Sequence, residues 1–291
     1  MGAIGLWREH VADFGLAATE KLVRDAGLRV SSLCRGGFFG RPGWLADNRA
    51  AIDEAAELGA ACLVLVPGGL PTDNSNNRGG GGGTGSGGGT GGGSGNGGGR
   101  TEPRPGSLAD NSNKPRAARG RLAEAREGVA DAVAELVPYA ARRGVRLAIE
   151  PMHPMYCADR GVVSTLGQAL DMAGPHPAEA VGVVVDTFHL WWDPEAEAQI
   201  ARAGREGRIA SFQVSDFLCP LPADVLLGRA MMGDGVIDFG PLCEAVAEAG
   251  YRGDVEVEIF NAAVWAADPD AVLATMKERY AALIAPDLGS F

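Results

Sequence analysis

The chain has 291 residues, 46% of them hydrophobic, with 26 Lys+Arg against 37 Asp+Glu and a net charge of −11. That apolar content supports a sizeable core and excludes wholesale disorder, and the acidic balance disfavours a phosphate-backbone binder, whose affinity comes from Lys and Arg displacing counterions. No apolar run reaches the roughly 18 residues that span a bilayer, and no secretory leader is visible at the start, so neither a membrane partner nor export is expected.

Along the chain, short apolar segments alternate with amphipathic ones. Expected strands are Ala3–Leu6, Arg29–Cys34, Cys62–Val66, Arg146–Glu150, Val181–Asp186, Ile209–Val214 and Val255–Phe260. They are brief and rich in β-branched residues, as parallel strands buried on both faces are. Between and after them the apolar periodicity predicts helices over Leu16–Ala26, Leu45–Leu58, Leu122–Arg143, Thr165–Ala173, Pro194–Ala203, Gly240–Ala249 and Pro269–Ile284. Gly27, Gly59, Gly144, Gly174 and Gly250 follow helix ends, where a left-handed residue is easiest for glycine. One stretch breaks the rhythm. Sixteen of the 44 glycines fall within Gly79–Gly99, flanked by polar segments, so residues 71–120 read as one flexible low-complexity insertion in a single domain. A phosphate-cradling loop is disfavoured there, because no P-loop or strand–glycine–helix context accompanies it. The five cysteines are scattered and never in C-x-x-C spacing, as expected for reduced thiols in the cytoplasm.

Seven strand–helix alternations leave an open doubly wound sheet or a closed β/α barrel, and closure normally takes eight units. The position of polar residues on the strands favours the barrel. In Arg146–Glu150, Leu147 and Ile149 share one face while Ala148 and Glu150 share the other. Val181, Val183 and Val185 share a face and Asp186 ends the opposite one; Ala210, Phe212 and Val214 alternate with Ser211 and Gln213; Val255, Val257 and Ile259 alternate with Glu256 and Glu258. Each strand thus has one apolar face for covering helices, and its other face finishes in a polar group near the C-terminal end. In a barrel those ends meet at one mouth.

Three carboxylates brought together repel one another unless a cation joins them. Glu150, Asp186 and Glu258 therefore point to a divalent metal, with Gln213 offering a carbonyl oxygen as a fourth ligand; an oxygen-rich set suits Mn²⁺, Mg²⁺ or Co²⁺. Solvated strand-end charge is the competing account for any single strand, but three with matching parity favour the metal. His153 and His189 each stand three residues after a predicted ligand, in loops at the mouth, where either a proton donor to substrate or a packed loop histidine fits. Arg229 precedes a turn-rich stretch and suits a substrate oxygen or a surface ion pair. Trp7 and Trp191–Trp192 serve equally well as walls of a sugar pocket or as core plugs.

The segments Leu147-Ala-Ile-Glu-Pro-Met-His-Pro154, Val185-Asp-Thr-Phe-His189, Met232-Gly-Asp-Gly-Val-Ile-Asp238 and Val257-Glu-Ile-Phe260 resemble the sugar phosphate isomerase/epimerase family. The resemblance implies a xylose isomerase-like TIM (β/α)8-type barrel. It also implies a metal held by Glu150, Asp186, the position of Gln213, and Glu258. Glu150 and Glu258 would exchange a substrate proton through a metal-bound enediolate, and His189 and Arg229 would contact substrate oxygens. The implied activity is isomerisation or epimerisation of a small sugar, ketose or inositol derivative; many members form dimers or tetramers. Two departures stand out. Gln213 replaces the family's histidine ligand, and the first β/α unit is lacking, which suggests a start lying upstream of Met1. Both motivate an alternative, a degenerate non-catalytic relative that binds a sugar-like ligand. An endonuclease for abasic DNA fits poorly with the acidic charge and the few histidines.

Overall fold

A computed structural model describes residues 1–70 and 121–288. Its elements run β1 (Ala3–Trp7), α1 (Arg8–Phe14), α2 (Leu16–Asp25), β2 (Arg29–Gly37), α3 (Trp44–Glu57), β3 (Leu63–Val66), α4 (Arg121–Arg143), β4 (Leu147–Ile149) and α5 (Leu166–Ala173). They continue with β5 (Val181–Asp186), α6 (Thr187–Leu190), α7 (Ala196–Arg205), β6 (Ile209–Val214), β7 (Asp216–Phe217), β8 (Arg229–Ala230), α8 (Gly240–Glu248), β9 (Val255–Val257), α9 (Ala262–Ala266), α10 (Pro269–Leu283) and α11 (Ala285–Leu288). All seven expected strands and all seven expected helices form. The expected insertion at residues 71–120 lies outside the described residues. Among those, no helix is long and apolar enough to cross a membrane.

Seven strands pair in parallel in the order β1-β2-β3-β4-β5-β6-β9, making a nearly closed TIM-type barrel; β7 and β8 form a separate antiparallel pair. The alternation of side chains sorts residues between two apolar clusters, as the pleat requires. Leu147, Ile149, Val181, Val183, Val185, Phe212 and Val214 belong to the large core between strands and helices. Cys34, Cys62, Val64, Ala148 and Val184 form a smaller cluster on the other face, the barrel interior. Ala210 departs from the expected parity and packs against the interior cluster. The register explains it: Val183 pairs with Ile209 and Val184 with Ser211, so Ala210 is an extra residue in a bulge. Gly182 leaves room for it, since a Cβ there would lie 2.9 Å from the Ala210 methyl.

Helix ends follow the glycine reading at four of five sites. Gly27, Gly59, Gly144 and Gly250 have φ of 67°, 63°, 69° and 77°. Gly174 does not; its φ is −51°, and its N–H continues the helical pattern to Leu170 O. Several short elements escape periodicity, namely α1, α6, α9 and the β7–β8 pair, because helices of four to seven residues and strands of two are too short to show a pattern.

Side chains join β9, the last strand of the sheet order, to β1 and β2 at the other edge. Glu256 on β9 accepts hydrogen bonds from Ser31 Oγ at 2.5 Å and Ser32 Oγ at 2.8 Å on β2. Arg29 pairs with Asp254, and Trp7 meets Phe260 edge to face with centroids 4.8 Å apart. Gly5 is needed at this seam, because a Cβ there would stand 2.5 Å from Glu256 Oε2.

Candidate active site

Residues at or just after the ends of β4, β5 and β9 and at the start of β8 converge beside a cavity of about 1280 Å³ whose wall includes Glu150, His189, Arg229 and Glu258, with Trp7 and Phe260 beside them. Glu150 directly follows β4 and is held there by its N–H to Leu65 O at 3.1 Å. Asp186, the last residue of β5, caps α6: its Oδ1 accepts from Phe188 N–H at 2.8 Å, leaving Oδ2 to receive Arg229 Nη2 at 2.8 Å. The same Nη2 lies 3.0 Å from Glu258 Oε2, while Nη1 donates to Ser215 Oγ at 3.0 Å. The guanidinium also stacks on Phe188, 4.6 Å from the ring centroid. Every group of this cluster is buried or nearly so.

Burial governs the protonation of the cluster. It pushes the Glu150 carboxyl well above the ordinary range, and the neighbouring Glu258 and Asp186 charges add to that push. Burial raises Glu258 to about 7, against the pull of Arg229. For Arg229, burial works to lower the pKa, but Asp186 and Glu258 outweigh it and raise the group further. Burial lowers His189 to about 3, so the ring is neutral. Its Nδ1 accepts the backbone N–H of His153 at 3.1 Å, which assigns the proton to Nε2. That Nε2 stands 3.1 Å from Arg229 Nη2, 3.7 Å from Glu150 Oε1 and 4.0 Å from Asp186 Oδ2.

Ligand atoms of Glu150, Asp186 and His189 all lie within 4.8 Å of one another, close enough to share an ion. The His153 hydrogen bond, however, leaves His189 Nε2 without a free lone pair, so oxygen atoms are the better ligands. Gln213, on β6 beside Asp186 in register, is 2% exposed, and its buried Oε1 has no hydrogen-bond partner. Three carboxylates with one guanidinium between them, and a desolvated carbonyl oxygen with nothing to accept from, fit a divalent cation.

Other expected positions lie differently. Trp7 lines the cavity, against Phe260. His153 does not line it: its Nδ1 accepts from Met155 N–H, and its ring packs on Trp192 and Phe217. Trp192 donates to His189 O and Trp191 packs on Phe217, so both support the site from behind. Two residues escaped sequence reasoning. Glu256 shares the parity of Glu258, so its signal lies in the strand's alternation. Asp216 carried no periodic signal; buried after β6, it accepts N–H groups from Gly233, Gly235 and Ile237, each at 2.9 Å, and so folds the Met232–Asp238 turn that follows Arg229. Gly235 is required by that approach, as its Cβ would sit 2.4 Å from Asp216 Oδ1.

A family model described as xylose isomerase-like TIM barrel matches residues 96–279. A Sinorhizobium meliloti 1021 protein known from its crystal structure is 41% identical, with 97% of this chain and 88% of that one covered at a TM-score of 0.76. The IolI protein, crystallised with a zinc atom, is 17% identical over 99% of this chain and 90% of its own, at a TM-score of 0.70. The 3-keto-D-glucoside 4-epimerase YcjR of E. coli is 17% identical over 96% and 89%, at 0.61. No curated protein matches significantly. The chain belongs to the xylose isomerase-like TIM barrel family.

Proposed function

We propose that the chain is a divalent-metal-dependent isomerase or epimerase of a small sugar, ketose or inositol derivative. The observation that carries this reading is the pair Glu150 and Glu258. Both carboxylates line one cavity, Glu150 buried and Glu258 nearly so, and Arg229 Nη2 stands 3.0 Å from Glu258 Oε2 beside them. Glu150, Asp186, Glu258 and Gln213 Oε1 would hold the ion, with Mn²⁺, Mg²⁺ or Co²⁺ suited to an all-oxygen set. When bound, such an ion polarises a carbonyl and its neighbouring hydroxyl and so acidifies the C–H between them.

The chain's own residues supply the rest. One glutamate removes the proton alpha to the carbonyl, giving an enediolate; a glutamate returns it to the other face or the neighbouring carbon. Arg229 and the Nε2–H of His189 stand where they can donate to substrate oxygens and stabilise the developing charge. Trp7 and Phe260 offer aromatic surface to the apolar face of a sugar. The similarity to YcjR, a 3-keto-D-glucoside 4-epimerase, agrees with this reading.

Metal analysis of the purified protein, followed by deuterium exchange from D₂O into a panel of ketoses and inososes with Mn²⁺ supplied, tests it. Exchange into one class of sugar is the expected result. A second reading, a non-catalytic sugar-binding relative, draws on the insertion of Arg229 between Asp186 and Glu258 and on the weak amide ligand Gln213. Absence of both bound metal and exchange favours it.

A further inference from the structure

Gln213 sits in register between Asp186 on β5 and Glu256 on β9. Glu256 plays no part in the chemistry above, yet four side-chain donors surround it. Besides Ser31 and Ser32, Ser211 Oγ approaches at 3.4 Å and Gln213 Nε2 donates at 3.0 Å. Glu256 accepts from every one of these groups, and the contact at 3.0 Å turns the nitrogen end of the Gln213 amide toward it. The usual ambiguity between the two ends of an amide is thereby removed by chemistry. Oε1 is the end turned away from Glu256, and it is buried with no partner.

We propose that Glu256 is a positioning residue: it locks Gln213 so that Oε1 faces the Glu150, Asp186 and Glu258 carboxylates as a neutral oxygen ligand for their cation. This inference rests on the metal reading above. The seam between β1 and β9 makes the device possible. Gly5 leaves the space that the Glu256 carboxylate fills, and the two serine hydroxyls fix its other lone pairs. Without Glu256 the cation alone would have to order the amide, and that cost would fall on metal binding. Partners that orient a ligand in this way typically change metal affinity by about 10–100-fold when replaced.

The experiment is calorimetric titration of Mn²⁺ into the wild type and Glu256→Gln. The substituted amide can donate to Gln213 Oε1 and so permits the flipped arrangement. The expected result is Mn²⁺ binding at least about tenfold weaker in Glu256→Gln, with metal-free melting temperatures moving far less than the Mn²⁺-induced increments. Equal affinity of the two proteins overturns the inference and leaves the metal site standing. A wild type that binds none of Mn²⁺, Mg²⁺ or Co²⁺ overturns both. Should Glu256→Gln fail to fold, a high-resolution structure of the Mn²⁺-loaded wild type decides: Oε1 on the ion with Nε2 on Glu256 supports the assignment, and Oε1 off the ion overturns it.

Discussion

Arg229 Nη2 and Asp186 Oδ2 meet at 2.8 Å, with the arginine side chain 5% exposed and the aspartate fully buried. Burying such charges is tolerable only while each keeps its partner. Arg229→Met strands Asp186 beside Glu150 and Glu258, and removing one partner of a buried pair costs about 3–5 kcal/mol. Urea unfolding of the metal-free protein is expected to show a loss of that size. A variant within about 0.5 kcal/mol of wild type would mean that water reaches the pair.

Glu258 combines burial with a pKa of about 7. Replacing its carboxylate by the isosteric amide keeps the shape and removes the proton acceptor. Glu258→Gln is expected to lower exchange of the substrate α-proton by about 10²–10⁴-fold, read as deuterium wash-in by NMR. Unchanged exchange would assign the base elsewhere.

Gln213→His places an imidazole where the amide oxygen stands. Imidazole is a better donor toward borderline metals than an amide, so affinity for Zn²⁺ and Co²⁺ is expected to rise by about tenfold. Competition titration and the visible spectrum of the Co²⁺ protein measure it. A spectrum unaltered by the substitution would show that position 213 does not reach the ion.

Asp216 holds the turn after Arg229 through N–H groups of Gly233, Gly235 and Ile237. Asp216→Asn turns an N–H₂ toward some of these donors and is expected to cost about 3 kcal/mol in urea unfolding. Hydrogen exchange over residues 231–238 should accelerate in step, and protection equal to wild type would count against this role.

Burial holds His153 at about 4, below the ordinary 6.5, so between those values the unfolded chain binds more protons than the folded one. The stability contribution is therefore complete above pH 6.5 and is lost as pH falls toward 4. His153 is partly exposed, so its share is modest, about 1 kcal/mol. Melting temperature is expected to fall across that window, and to fall less steeply in His153→Gln; identical slopes would assign the acid sensitivity to other groups, His189 first.

The alternation of β4, β5, β6 and β9 was readable because a parallel strand under helices must bury one full face, so Leu147, Ile149, Val183 and Phe212 leave a period-2 trace. The trace failed at Ala210, where a bulge that depends on the neighbouring strand shifts parity by one. Loop spacing left His153 open between a place at the mouth and packing in the loop, and its ring is held by Met155 N–H and Trp192.

By itself the order of residues determined the seven strands, the helices that cover them, and which strand ends carry Glu150, Asp186, Gln213 and Glu258, since these follow from local periodicity and from which side chains water rejects. Only the tertiary structure decided that Arg229 inserts between Asp186 and Glu258, that Asp216 gathers a turn some twenty residues away, and that Glu256 bridges the seam to face Gln213. Those relationships depend on side chains from distant segments meeting in a space shaped by the whole barrel, and no local pattern encodes such a meeting.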